Sequence, residues 1–177
     1  MTVVYLGLGS NLGDREGNIR RALQTLEELG RLLKVSSLYE TEPWGVVDQP
    51  RFLNAACALE TEISPEELLK RLKALEVALG RVPTVRYGPR VIDLDILLYG
   101  DLCLETPDLT IPHPGMLSRS TVLVPLAEIA PCLRHPRTGR TIAEHLRDLG
   151  PTPNVAPYPP GLPCSGGSPS AASSKAR

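Results

Sequence analysis

The chain has 177 residues, 22% of them charged, with 19 Lys and Arg against 20 Asp and Glu for a formal net charge of -1. About 150 residues suffice to bury one full hydrophobic core, so the length describes one domain, or one domain and a tail. The near-neutral balance excludes a global basic field for nucleic acid or an anionic membrane, so any anion must be bound locally.

The elements follow from periodicity. Thr2 to Leu8 reads as a strand. Asp14 caps a helix whose apolar face is Ile19, Ala22, Leu23, Leu26 and Leu29, and Gly30 ends it. Leu32 to Tyr39 and Phe52 to Leu59 are two more strands, joined by a loop with Thr41, Pro43, Trp44 and Gly45. Ser64-Pro65-Glu66-Glu67 supplies an N-cap, a proline at N1 and a capping-box glutamate for a second helix, with a stripe of Leu68, Leu69, Leu72, Leu75 and Leu79 closed by Gly80. A strand from Val91 to Tyr99 completes β-α-β-β-α-β. This order predicts an α+β, ferredoxin-like antiparallel sheet with both helices on one face and the other face free for a site. Short strands and helices then follow: a hairpin around Asp101, a loop through Ile111-Pro-His-Pro114, an apolar run from Val122 to Leu126 leading into Ala130, and a helix from Thr141 to Leu149.

Asp93 and Asp95 interrupt the last strand. Side chains alternate across a strand, so the two carboxylates share one face, roughly 6–7 Å apart at Cα, with Ile92, Leu94, Ile96 and Leu98 on the other. Carboxylates this close repel, and burying either one unpaired is costly, so the face requires a cation or a bound proton. A plain salt-bridge cluster with Arg86 or Arg90 would satisfy it. So would magnesium, which is commonly held by one or two carboxylates with water and phosphate oxygens in the remaining positions.

The four cysteines, Cys57, Cys103, Cys132 and Cys164, form no C-x-x-C pair, which argues against a zinc site or a disulfide framework and for reduced, cytoplasmic thiols. The N-terminal residues show no basic leader region or cleavage site, and no apolar run approaches the ~20 residues of a membrane span. From Gly150 onward Pro, Gly and Ser dominate, so residues 1–149 are expected to form the domain and 150–177 a disordered tail.

The segments Gly9-Ser-Asn-Leu-Gly13, Ser36-Ser-Leu-Tyr-Glu-Thr41, Asp48-Gln-Pro-Arg-Phe-Leu-Asn54, Gly88-Pro-Arg-Val-Ile-Asp-Leu-Asp-Ile96 and Ile111-Pro-His113 resemble 6-hydroxymethyl-7,8-dihydropterin pyrophosphokinase of folate synthesis, in order and spacing, from about residue 2 to residue 149. The resemblance implies transfer of diphosphate from ATP to a reduced pterin with two magnesium ions on Asp93 and Asp95. It implies catalytic roles for Arg81, Arg90 and Asp95. Nucleotide contacts would fall to Lys73, Glu76, Arg81, Tyr87, Arg90, Ile96, Thr110, His113 and Arg119. Pterin contacts would fall to Thr41, Pro43, Trp44, Phe52, Asn54 and Asp95. Thr121 stands where the family usually has a second stacking aromatic, and Pro83 where it often has a further arginine, in a loop from Val82 to Tyr87 that would act as a lid. The implied protein is a cytoplasmic monomer with small-molecule substrates and neither nucleic acid nor membrane as partner.

Three other readings compete. Gly7-x-Gly9-x-x-x-Gly13 has the wrong spacing for a dinucleotide site. An RNA-binding sheet would need several stacking aromatics, but aromatics are 4% of the chain. A noncatalytic ATP and magnesium sensor would share the acidic strand but would not need the pocket from Thr41 to Asn54.

Overall fold

The structure, a computed structural model, describes residues 1–43, 48–86 and 88–159. Its first half follows the expected order: β1 (Thr2–Ser10), α1 (Arg15–Leu26), β2 (Arg31–Val35), β3 (Leu38–Thr41), β4 (Phe52–Thr61), α2 (Pro65–Ala78) and β5 (Asp93–Tyr99). The main sheet runs β5-β1-β4-β3, with β2 also on β4, and every pairing is antiparallel. This is the ferredoxin-like arrangement.

Local chemistry explains the boundaries. Asp14 caps α1 by accepting the Gly17 N–H at 3.0 Å, as its side chain predicts. The helix stops at Leu26, four residues before Gly30, and turns return Leu29 to the core. Gly30 serves the sheet rather than the helix end. A Cβ there would lie 2.3 Å from the Glu60 carbonyl oxygen, so only glycine lets the chain pass this close to β4. Ser64 accepts the Glu67 N–H at 3.4 Å to cap α2, while the Glu67 carboxylate pairs forward with Arg71 at 3.0 Å. The expected strand from Leu32 to Tyr39 is two strands. At the break, the Ser37 N–H and hydroxyl both donate to Glu128, at 3.0 and 2.7 Å, instead of continuing a ladder.

Two cores flank the sheet. Leu6, Leu53, Leu59, Leu94 and Ile96 face α1 and α2 with Ile19, Leu26, Leu68 and Leu72. The opposite face is not left free as expected. Helices α3 (Ser120–Ile129) and α4 (Ile142–Leu149) build a second core there from Ala56, Leu97, Leu98, Met116, Leu123, Leu126 and Ile142. The alanines of β4 explain it, because short side chains let a helix approach the sheet. A register shift against β1 between Tyr5 and Leu6 puts Leu98 in this second core, whereas strict alternation assigned it to the first. The chain reverses after Tyr99, but the hairpin expected around Asp101 forms further on, between β6 (Leu104–Glu105) and β7 (Thr110–Ile111). The last expected helix is present, with a complete Thr141/Glu144 capping box.

The domain extends past residue 149. Residues Val155–Tyr158 form β8, antiparallel to β3 with Tyr158 opposite Leu38 and Val155 opposite Thr41. Tyr158 packs against the first core, and the Arg15 guanidinium lies 5.4 Å from its ring centroid. Composition suggested a free tail because it counts prolines without regard to pairing, and β8 lies at the sheet edge, where Pro157 is tolerated. Residues 160–177 of the expected tail lie outside the described residues. Four cross-strand pairs and a cation–π contact together contribute about 1–5 kcal/mol. Ending the chain at Gly150 should therefore lower the urea midpoint relative to a chain ending at Pro159; equal midpoints would show that β8 adds no stability.

Candidate active site

The site arises from register. On the face away from α1 and α2, Asp95 lies beside Gly7 and Asp93 beside Gly9; on the far side of β1, Gly7 lies beside Ala56 and Gly9 beside Asn54. The central strand thus has no side chain between the carboxylates and the residues of β4. The result is a trough walled by Asp93 and Asp95 on one side and by Phe52, Asn54 and Ala56 on the other, with Leu97, Thr121 and Val122 at its end. Its enclosed space is about 60 Å³, well below the ~300 Å³ or more of a complete ligand pocket, so these residues form the floor of an open cleft. Gly9 keeps this floor open: a Cβ would come within 3.0 Å of Asn54 Oδ1 and 3.6 Å of the Phe52 ring, so any larger residue would press on the Asn54 amide. Asn54 donates to the Thr41 hydroxyl at 2.6 Å, which sets the direction of its amide.

Glu76 is the hub of the acidic end. Its side chain is 2% exposed. Its carboxylate accepts the Leu94 N–H at 2.8 Å, pairs with Lys73 at 3.2 Å and pairs closely with Arg81. A buried carboxylate with this many partners is a framework group, and removing it would strand its partners. Lys73, whose side chain is 48% exposed, thus reaches from the surface of α2 to a buried carboxylate. Arg81 also approaches Asp93 at 3.4 Å, and Arg90 pairs with the same Asp93 oxygen at 2.9 Å. The salt-bridge reading of the acidic strand thus holds for Asp93, through Arg81 and Arg90.

Asp95 differs. It makes no ion pair among the described residues, and burial, then the charge of Asp93, push its carboxyl up to about 6. Lys73 and Arg119 act in the opposite direction. The strand thus presents one carboxylate neutralised by arginines and one poised to take a proton or a cation. His113 follows β7; its N–H donates to the Leu97 carbonyl at 2.9 Å. The Gly115 N–H donates to its Nδ1 at 3.1 Å, which leaves Nε2–H as the ring donor. Burial, then the Arg119 charge, hold its pKa below the ordinary histidine value, so the ring is neutral at pH 7.

Most of the residues singled out in sequence therefore converge. Asp93, Asp95, Phe52 and Asn54 line the cleft, with Arg81 and Arg90 on Asp93 and Thr41 behind Asn54. Lys73, His113 and Arg119 act on one another or on Asp95 electrostatically. Thr110 lies in β7, and Pro43 is half-buried at the end of a described segment. Ile96 is 4% exposed in the first core, on the face that alternation with Asp95 assigns it, so its backbone is the part open to a ligand. Trp44 and Tyr87 lie outside the described residues. Sequence reasoning assigned no role to Asn11, which is 1% exposed and bonded to segments on both sides of the cleft; its place in Gly9-Ser-Asn-Leu-Gly13 was the available signal.

Fold and site together define a ferredoxin-like domain with the layout of a phosphoryl-transfer enzyme, with paired carboxylates and arginines at one end of a cleft and a ring-and-amide floor at the other. The family profile of 7,8-dihydro-6-hydroxymethylpterin-pyrophosphokinase (HPPK) matches residues 5–131. A 2-amino-4-hydroxy-6-hydroxymethyldihydropteridine pyrophosphokinase of Pseudomonas aeruginosa is 48% identical over 145 residues, 81% of this chain and 89% of that protein. The folic acid synthesis protein fol1 of Schizosaccharomyces pombe is 46% identical over 149 residues, 83% of this chain. The chain spans only 20% of the length of fol1. The crystal structure of Plasmodium falciparum HPPK-DHPS, wild type with pteroate, shares the fold with a TM-score of 0.68 at 18% identity, over 83% of this chain and 42% of that one. This chain belongs to the HPPK family.

The Asp95 environment predicts a pH signature. The carboxyl titrates near 6 in the fold against 3.8 for the free group, so between these values the folded protein binds more protons than the unfolded chain. Stability from this group is present below about pH 4 and is lost as pH rises through 6, by about 3 kcal/mol at most. In thermal melts with EDTA, Asp95→Asn should raise Tm progressively from pH 4 to pH 7. A Tm difference that does not change with pH would contradict the burial argument.

Proposed function

We propose that this chain transfers the β,γ-diphosphate of ATP to the hydroxymethyl oxygen of 6-hydroxymethyl-7,8-dihydropterin, giving AMP and the pterin diphosphate. Pyrophosphokinase activity in folate synthesis follows from membership of the family. The finer reading rests chiefly on one observation: a single glycine-floored trough joins the carboxylate pair to Phe52 and Asn54. A noncatalytic nucleotide sensor would not need that second wall, and it is not favoured.

The two aspartates suit magnesium. Among the described residues no group of three or more His, Cys, Asp or Glu is placed to hold a metal, and an all-protein cage is not what magnesium uses. Two carboxylates, with water and phosphate oxygens completing the shell, are sufficient. Bound at Asp93 and Asp95 as two ions, magnesium would neutralise phosphate charge and orient the reacting oxygens.

The remaining roles belong to side chains. Arg81 and Arg90, now paired with Asp93, carry the forked donors that fit phosphate oxygens. Lys73 and Arg119 add positive charge, and His113 offers its Nε2–H to an oxygen without changing the net charge. Glu76 holds Lys73 and Arg81 in place. Thr110 and the backbone at Ile96 complete the nucleotide side, and Tyr87 is the further nucleotide contact that the family resemblance implies. The flat pterin stacks on Phe52 and bonds the Asn54 amide, which Thr41 orients; Pro43 borders that side, and Trp44 is the further pterin contact that the family resemblance implies. Thr121, with Val122 beside it at the end of the trough, stands at the position where the family usually has a second stacking aromatic. The hydroxymethyl oxygen forms a bond to the β-phosphorus as the bond from that phosphorus to the α,β-bridging oxygen breaks; the hydroxyl proton leaves to Asp95 or to water. Alignment and charge stabilisation provide most of the acceleration. The same reading makes the protein a cytoplasmic monomer; among the described residues no helix is long and apolar enough to cross a membrane.

Phosphorus NMR of the protein with ATP, magnesium and the pterin should show AMP and pterin diphosphate in equal amounts. Asp95→Asn should slow this by at least about 10²-fold, the scale of losing a key electrostatic group. ATP binding with no AMP would replace this function with the sensor. His113→Ala should raise KM for ATP by roughly 10-fold, as expected for a hydrogen bond to a charged oxygen, and leave KM for the pterin unchanged; an equal rise in both would remove His113 from the nucleotide side.

A further inference from the structure

Asn11 sits just past the end of β1, between the two walls of the cleft, and its hydrogen bonds run to both. Its Oδ1 accepts the Arg90 N–H at 2.7 Å, and its own N–H donates to the Arg90 carbonyl at 3.0 Å. Its Nδ2 donates to Gln49 Oε1 at 2.9 Å and to the Pro50 carbonyl at 3.0 Å. One side chain therefore joins the segment that carries Arg90, on the carboxylate side, to the segment that leads directly into Phe52, on the ring-binding side.

The joint is rigid at its root. Asn18 on α1 donates to Ser10 Oγ at 3.1 Å and to the Leu12 carbonyl at 2.8 Å, which fixes the backbone immediately before and after Asn11. Arg21 in turn donates to Asn18 Oδ1. At 1% exposure water cannot replace these bonds cheaply, and a buried amide that loses one partner carries the full desolvation cost. Displacing either segment thus strains the bond to the other.

We propose that Asn11 is the positioning residue that couples the two substrate sites, so that ordering of the Gln49–Pro50 segment around the pterin steadies Arg90 for the phosphates, and the reverse. The proposal rests on the two-substrate reading of the cleft. Coupling of this kind is reciprocal: whatever factor the nucleotide adds to pterin affinity, the pterin adds to nucleotide affinity. Asn has the functional groups the joint needs, a donor for one segment and an acceptor for the other. Asp would keep the acceptor and lose the donors, and Ala would lose both.

The test is isothermal titration of 6-hydroxymethyl-7,8-dihydropterin with and without a non-hydrolysable ATP analogue and magnesium, on wild type, Asn11→Ala and Asn11→Asp. Wild type should bind the pterin at least about 10-fold more tightly in the presence of the nucleotide. Both variants should reduce that ratio towards one, while the affinity for each ligand alone changes by less than about 3-fold. A ligand-free measurement accompanies it: hydrogen exchange at the Arg90 amide should accelerate by about 10-fold or more in Gln49→Ala, a change made only in the opposite segment. Retention of the wild-type ratio by both variants would overturn the proposal, as would an unchanged Arg90 exchange rate in Gln49→Ala. Loss of affinity for each ligand alone with the ratio intact would make Asn11 a structural residue and overturn it as well. Should wild type form AMP yet show no coupling, the proposal fails while the proposed reaction stands; should wild type bind neither ligand, the reading of the cleft fails first.

Discussion

The period-two alternation of β5, held in register with the glycines of β1, is the constraint on which the rest depends. It sends Leu94 and Ile96 into the core and Asp93 and Asp95 to the opposite face, so burial of the aliphatic side chains and presentation of the carboxylates to the trough are one event. Because Gly7 and Gly9 stand beside Asp95 and Asp93, no side chain of β1 fills the space that the carboxylates face. Either glycine replaced by a large residue would close the trough that the fold has just opened.

This arrangement concentrates like charge, and the protein offsets it unequally. Asp93 shares Arg81 and Arg90, while Asp95 is left with more distant cations and a raised pKa. Glu76 contributes a third negative charge, but its bonds to the Leu94 N–H, Lys73 and Arg81 make it part of the frame that joins α2 to β5. A site with this balance is ready for a polyphosphate with its divalent counter-ions: the cations match the anionic ligand, and the aspartates match the metal.

The second core gives the site its end wall. Helix α3 packs on the face of the sheet opposite α1 and α2, so Thr121 and Val122 close the trough near Leu97. Glu128, further along the same helix, ties it to Ser37 and Tyr39 near the other edge of the sheet, the Tyr39 hydroxyl donating at 2.6 Å, and burial, then that bond, raise the Tyr39 pKa. Substrate side and scaffold are thus held by one helix.

Spacings of two to four residues were enough to specify the β-α-β-β-α-β order, the two caps at Asp14 and Ser64, and the sharing of one face by Asp93 and Asp95. The same short range made the acidic pair of Asp93 and Asp95 legible, whereas most of the candidate site followed only from the resemblance of five separated motifs to a known family. Contacts between distant segments settled the rest. The register shift in β5 moved Leu98 to the second core, the Ser37–Glu128 bonds split one strand into two, and α3 covered a face expected to be open. The pairing of β8 with β3 brought residues 155–158 into the domain despite their proline content. Asn11 belongs to the same class: its meaning lies in bonds to Gln49, Pro50 and Arg90, residues 38 to 79 positions away in the chain, and no local pattern can express a contact whose partners are brought together only by the fold.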